Sequence, residues 1–154
     1  MRDRWRAVGV LAAALFAVNA VARVIIKLGF DGNDTAADRV SLGMFIVVGL
    51  VLAGVVFAWG RVVPAARWGT DVAAAVTVAL LLTVLVGPLL VGNNPFGGGV
   101  GLFFAQIWLY LAAAAAGVAI GYLVLIALGR DHRSRQLQRY AERNVGKPRR
   151  VVRR

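Results

Sequence analysis

The strongest constraint on this chain is a set of four long apolar stretches separated by short connectors. They cover residues 7–30, 40–60, 72–92 and 102–129, and none of them contains Asp or Glu. A helix that crosses the hydrocarbon of a bilayer needs about 20 consecutive apolar residues. Because lipid offers no hydrogen bonds, such a stretch must satisfy its own backbone as a helix. The sequence therefore predicts an all-α integral membrane protein with four transmembrane helices.

The charges of the connectors predict how these helices are oriented. The N-terminal "MRDRWR" and the connector "RVVPAARWGTD" are basic, whereas "DGNDTAAD" is acidic and "NNPFGGGV" is uncharged. Cytoplasmic segments carry an excess of Arg and Lys, so we expect both termini in the cytoplasm. Since the connectors are short, neighbouring helices should run antiparallel. Arginine far outnumbers lysine in a chain rich in Ala, Gly and Val, a composition typical of GC-rich bacteria, which predicts the bacterial inner membrane.

The segment 130–154 is a basic tail that follows the predicted transmembrane domain of residues 1–129. A thin apolar stripe predicts a helix to about residue 145 and a disordered end after it. A basic residue near an anionic leaflet contributes ~1 kcal/mol of attraction, which predicts binding to anionic lipids of the inner leaflet. Nucleic acid is a less favoured partner, because Tyr140 is the only Phe, Tyr or Trp in the tail sequence that could stack on a base. The predicted lipid contacts are Arg130, Arg133, Arg135, Arg139, Arg143, Lys147, Arg149 and Arg150.

The first apolar stretch carries a polar stripe. Asn19, Arg23 and Lys27 are four residues apart and share one helix face. Counted from residue 7 at 1.5 Å per residue, Arg23 lies about 24 Å and Lys27 about 30 Å along the helix. Two interpretations follow. The cations snorkel to the outer interface and pair with Asp31, Asp34 or Asp38 of the adjacent connector, or they belong to an outer polar site for an anion or a lipid headgroup. Other polar residues predicted near that level are Ser41, Asn93, Asn94 and Gln106. The candidate site is Asn19, Arg23, Lys27 and Gln106.

Residues 20–22 read Ala-Val-Ala, the small-x-small pattern that signal peptidase cleaves. Together with the basic start and the apolar run, this pattern makes residues 1–22 a possible cleaved signal peptide. The apolar run continues through residues 24–26, and its full length suits a membrane-spanning helix. We therefore favour an uncleaved first helix and leave cleavage as the alternative.

Small residues recur at steps of four and predict close helix packing, within one bundle or between copies. The pattern includes Gly49 with Ala53, and Gly117 with Gly121. In the third stretch, Pro88 predicts a kink, and the Thr83 side chain one turn earlier is predicted to bond the carbonyl region that the proline frees.

The apolar stretches contain no carboxylate, no cysteine and no histidine, since the single histidine is His132 and the chain has no cysteine. An enzyme needs such groups as base, nucleophile or metal ligand, so the prediction is a non-catalytic protein without cofactor or metal. We favour an accessory or scaffold subunit with a membrane-protein partner or a second copy of the chain. The alternatives are a small oligomeric channel or transporter component that uses the outer site, and a holin-like pore former.

Overall fold

The computed structural model describes residues 2–30, 33–94, 96–97, 99–130 and 132–145. The elements within these residues are α1 (Arg2–Gly29), α2 (Asp34–Gly60), α3 (Ala65–Leu81), a π-helical segment (Leu82–Val86), α4 (Gly87–Leu90), α5 (Gly99–Ala127) and α6 (His132–Val145).

Four helices of the described residues are long and apolar enough to cross a membrane. This confirms the prediction of a helical chain with four apolar helices of membrane-spanning length. They cover Asp3–Gly29, Asp34–Gly60, Ala65–Leu90 and Gly99–Ala127. The third of these combines α3, the π-helical segment and α4. The second and third helices begin at residues 34 and 65, earlier than the apolar stretches, which begin at residues 40 and 72. The polar residues before each apolar stretch form the first turns of the helix, because helical hydrogen bonds join backbone groups. Asn33 caps α2, and its Oδ1 accepts the Ala36 N–H at 3.1 Å.

The most extensive helix–helix interface joins α2 and α5. The backbones touch there, because a Cβ added to Gly117 would lie 2.7 Å from the Gly49 Cα, and one added to Gly121 would lie 2.8 Å from the Ala53 Cα. Only small residues permit such an approach. Since residue numbers rise together along both helices, α2 and α5 run in the same direction. The small-residue steps Gly49–Ala53 and Gly117–Gly121 therefore pack against each other inside one bundle.

The first and third membrane helices also run in the same direction. At one end, Arg4 Nε donates to Asp71 Oδ1 at 2.6 Å. At the other end, Lys27 Nζ donates to the Val91 carbonyl at 2.6 Å. The helices that pack most closely are therefore not neighbours in sequence, and the bundle consists of two parallel pairs.

The hydrophobic core lies in the middle of the bundle, between the end at Arg4 and Asp71 and the end at Lys27 and Val91. Its largest fully buried side chains include Leu15, Leu52, Val48 and Tyr110. Beyond Tyr110, toward the end where α1 stops and where α2 and α5 begin, the helices leave cavities between them. We call this the open end of the bundle, and it holds the polar stripe of α1.

Candidate functional site

Arg23 turns its guanidinium toward the neighbouring helices. Its Nε donates to Asn19 Oδ1 at 2.9 Å, and its Nη2 donates to the Thr83 carbonyl at 3.4 Å. Asn19 is 3% exposed, and its Nδ2 contacts Met44 Sδ at 2.9 Å. Asn19 lies one turn before Arg23 in α1. The Arg23 side chain therefore points back along the helix, into the bundle and away from the end of α1. The polar stripe is thereby tied to both the second and the third membrane helix.

The π-helical segment explains why the Thr83 carbonyl accepts a bond from Arg23. In a π-helix each N–H bonds the carbonyl five residues earlier, and the Gly87 N–H does so with Leu82. The next bond in this register would join Pro88 to Thr83, but proline has no N–H. Arg23 supplies a donor in its place. The prediction that the Thr83 hydroxyl would fill this role is wrong, because that hydroxyl has no hydrogen-bond partner among the described residues.

Gly87 makes room for the guanidinium. A Cβ at this position would lie 2.8 Å from Arg23 Nε and 3.1 Å from Asn19 Oδ1. Both distances are shorter than ordinary van der Waals contact. The absence of a side chain at residue 87 therefore allows the Arg23–Asn19 pair to lie against the third membrane helix.

A cavity of about 360 Å³ lies between α1, α2 and α5, and Thr83 of the π-helical segment also lines it. We call it the main cavity. Its polar lining comes from all of these elements, and its apolar lining includes Ile26, Phe45 and Leu109. The polar lining residues are Asn19, Arg23, Asp38, Ser41, Thr83, Gln106 and Tyr110.

Two buried hydroxyls in the main cavity have no protein partner. Thr83 is 3% exposed and Tyr110 is 1% exposed, and neither hydroxyl makes a hydrogen bond to any described residue. An unsatisfied buried hydroxyl costs about 1–3 kcal/mol. These hydroxyls are therefore available to bond a polar group that enters the cavity.

The main cavity also carries two opposite charges that do not touch. Arg23 on α1 and Asp38 on α2 both line it, and the ion pairs of the described residues, Arg4–Asp71 and Arg6–Asp3, include neither of them. A guanidinium in a low-dielectric site strongly favours an anionic partner. The cavity thus presents a half-buried cation and an exposed carboxylate on different walls, and neither has an ion-pair partner among the described residues.

Two further cavities meet at Arg23. One, of about 430 Å³, lies between α1, α4, the connector before α5, and α5 itself, where it is lined by Asn93, Leu102 and Gln106. The other, of about 390 Å³, lies between α1 and α4 and includes Lys27 and Asn93. Arg23 therefore lines all three cavities at the open end.

The structure brings three of the four predicted site residues to one cavity: Asn19, Arg23 and Gln106 all line the main cavity. Lys27 is exposed and bonds the Val91 carbonyl, beside a neighbouring cavity. The predicted pairing of the cations with Asp34 or Asp38 is not found among the ion pairs of the described residues, and Asp31 lies outside those residues. Asp38 and Tyr110 line the cavity but were not predicted as site residues, although each had a usable signal. Tyr110 follows Gln106 by four residues and Asp38 precedes Ser41 by three, so each shares a helix face with a residue already placed at this level.

The opposite end of the bundle carries the basic tail. Arg135 on α6 donates to the Arg61 carbonyl at 3.4 Å, which anchors α6 to the end of α2. Leu137 and Tyr140 on α6 are each 68% exposed. Of the predicted lipid contacts, Arg130 precedes α6 and the next four lie within α6 at residues 133, 135, 139 and 143. Lys147, Arg149 and Arg150, and the predicted disordered end, lie outside the described residues.

Comparison with protein-family models, with curated proteins and with solved structures found no match to this chain.

Proposed function

We propose that this chain is a non-catalytic membrane protein that binds an anionic group, in particular a phosphate, against Arg23 at the open end. One observation carries the proposal: a guanidinium that lies six residues, or about 9 Å, inside the end of α1 lines three cavities and has no ion-pair partner in the described part of the chain. An ionisable residue inside a membrane helix is costly and is usually retained for function.

The chemistry of Arg23 favours phosphate. A guanidinium has five N–H donors in a planar fork that matches phosphate oxygens. Two bonds, to the Asn19 side chain and to the Thr83 carbonyl, hold the group in place. The remaining donors can bond a ligand without a change of side-chain conformation. Pre-organisation of this kind lowers the entropic cost of binding.

The proposed orientation places both termini in the cytoplasm of a bacterium, with consecutive helices antiparallel and the open end in the outer half of the inner membrane. The basic and acidic connectors support this orientation. The chain has no cysteine, so single-cysteine variants can be labelled without background. A membrane-impermeant maleimide added to intact cells should label Asn94→Cys and should label Gln138→Cys only after lysis. The reverse result would invert the orientation.

The binding test compares two arginines at the same end of the bundle. Arg23→Gln should lower the affinity of the purified protein for phosphatidylglycerol by about 10- to 100-fold, the effect of one charge-assisted hydrogen bond. Arg39→Gln should leave the affinity unchanged, because Arg39 is exposed and does not line the main cavity. Native mass spectrometry of the detergent-solubilised protein measures both. Equal effects of the two substitutions would refute the proposal.

Ion flux in liposomes separates a transport component from a binding protein. Selective anion flux that falls in Arg23→Ala would identify a channel or transporter component, whereas binding without flux would identify a headgroup-binding protein.

A second candidate, an accessory or scaffold subunit held through its tail, is favoured by the exposed Leu137 and Tyr140 on basic α6. These side chains suit insertion into the headgroup region of an anionic leaflet or contact with a partner. Co-purification of a larger membrane protein that is lost when residues 130–154 are deleted would support this candidate. The holin-like alternative stays a prediction, and collapse of the membrane potential on overexpression tests it.

A further inference from the structure

We infer that the main cavity selects a zwitterionic headgroup of the amino-phospholipid class, with its phosphate on Arg23 and its primary ammonium on Asp38. This inference rests on the proposed function and adds the class of ligand. It is motivated by the unpaired carboxylate and the two unpartnered hydroxyls, none of which a simple anion site requires.

The depth of the polar groups follows the order of groups in such a lipid. Asp38 lies four residues from the start of α2, and Arg23 lies six residues from the end of α1. The contact of Gly49 with Gly117 places Tyr110 level with residue 42, eight residues from the start of α2. At 1.5 Å per residue these depths are about 6, 9 and 12 Å from the open end. An amino-phospholipid inserted from this end presents its ammonium first, then its phosphate, then its glycerol ester carbonyls. Each group meets a protein group of complementary chemistry.

The two hydroxyls complete the match at the level of Arg23 and below it. Thr83 Oγ1 and Tyr110 Oη are buried and have no acceptor among the described residues, and ester carbonyl oxygens accept such bonds. Phe45 and Leu109 line the same cavity and provide an apolar wall for an acyl chain. A free anion would leave this wall without contacts.

Asp38 determines the preference between headgroups. A primary ammonium donates charge-assisted hydrogen bonds to a carboxylate, whereas a choline group has no N–H donor and a glycerol headgroup has no positive charge. The site should therefore prefer phosphatidylethanolamine to phosphatidylcholine and to phosphatidylglycerol. A change of the carboxylate to an amide removes the charge that makes the distinction and leaves the Arg23 contacts in place.

The experiment measures binding of the three lipids to the purified full-length chain by native mass spectrometry. The wild type should bind phosphatidylethanolamine about tenfold more tightly than phosphatidylglycerol, the effect of one charge-assisted hydrogen bond. Asp38→Asn should abolish the preference, and Asp38→Glu should retain it. Asp34→Asn is the matched control and should retain the preference, because Asp34 is exposed on the same helix, as Asp38 is, but does not line the main cavity.

Competition with water-soluble phosphoethanolamine distinguishes the intact lipid from the free headgroup. Displacement of the lipid at comparable concentration would assign the site to the free headgroup, and weak displacement would assign it to the whole lipid. Tyr110→Phe should weaken binding of the intact lipid several-fold and leave phosphoethanolamine binding unchanged, because only the lipid carries ester carbonyls.

Failure of the inference and failure of the proposed function give different results. Equal affinity for all three lipids with no effect of Asp38→Asn would overturn the inference, while sensitivity to Arg23→Gln would still support a phosphate site. Binding that is independent of both residues would overturn both proposals. Circular dichroism of each variant establishes that the helices are retained.

Discussion

The contact between α2 and α5 makes a sharp prediction about two glycines that face each other. A Cβ added to Gly117 would lie 2.7 Å from the Gly49 Cα and 2.9 Å from the Gly49 carbonyl carbon. Carbon atoms in good contact are about 3.5–4.0 Å apart, so α5 must withdraw from α2 by about 1 Å. A Cβ added to Gly49 instead would find its nearest atom, the Ala113 carbonyl oxygen, at 3.5 Å, which is ordinary contact. The same substitution should therefore have unequal effects on the two sides of one interface.

The magnitude follows from the cost of overpacking. Insertion of a methyl group into a packed contact typically costs about 1–3 kcal/mol, whereas replacement of glycine by alanine in a helix contributes a favourable propensity of up to about 1 kcal/mol. The propensity contribution is common to Gly117→Ala and Gly49→Ala and cancels in their difference. Gly117→Ala should therefore be less stable than Gly49→Ala by about 1–3 kcal/mol.

Reversible unfolding in mixed micelles, with increasing SDS and far-UV circular dichroism as the readout, measures this difference. Gly54→Ala on α2 is an additional control, because a Cβ there meets nothing within 4 Å. If Gly117→Ala unfolded at the same SDS fraction as Gly49→Ala, the backbones of α2 and α5 would not be in contact and the reasoning would be refuted.

Three further substitutions test the cavity and the tail. Gly87→Ala would place a Cβ 2.8 Å from Arg23 Nε and should lower phosphate-lipid affinity about tenfold by displacing the guanidinium; native mass spectrometry that shows unchanged affinity would contradict this. Tyr110→Phe should stabilise the lipid-free protein by about 1 kcal/mol, because it removes a buried hydroxyl that has no partner among the described residues; a loss of stability in SDS unfolding would instead indicate that the hydroxyl is bonded. Leu137→Ser should increase the rate of tryptic cleavage of the tail in anionic vesicles about tenfold, since α6 loses an apolar contact with the leaflet worth about 1.5 kcal/mol. Gln138→Ser should leave that rate unchanged, and equal rates for the two variants would place α6 away from the lipid.

The membrane helices could be predicted from hydropathy because lipid imposes one solution on an apolar segment of sufficient length. The pairing of the helices could not. Gly54 belongs to the same small-residue pattern as Gly49, yet an added Cβ at Gly54 would meet no other group within 4 Å, whereas Gly49 lies against Gly117. In a chain rich in Ala and Gly, spacing alone does not distinguish a packed face from a lipid-facing one.

The candidate site was predicted in part because the depth of Arg23 follows from counting residues along a single helix. Contributions from other helices depend on the pairing, and of these only Gln106 was among the predicted site residues. Asp38 lies before the apolar stretch of α2, and it reaches the cavity because the helix begins at Asp34. The contact of Arg23 with the Thr83 carbonyl depends on a π-helical turn, which the sequence signals only through Pro88.

The two parallel pairs bear on how the protein is made. During synthesis α1 is followed by α2, but the helix that packs along α1 in parallel is α3, and the main partner of α2 is α5, which is made after α3 and α4. The face of α2 that carries Gly49 and Ala53 therefore stays without its α5 partner until residues 61–127 have been translated. A chain that stops after α4 would leave that face uncovered. Assembly of the bundle is completed only when α5 arrives, and the Arg23 cavity, which needs α5 as a wall, forms at the same moment.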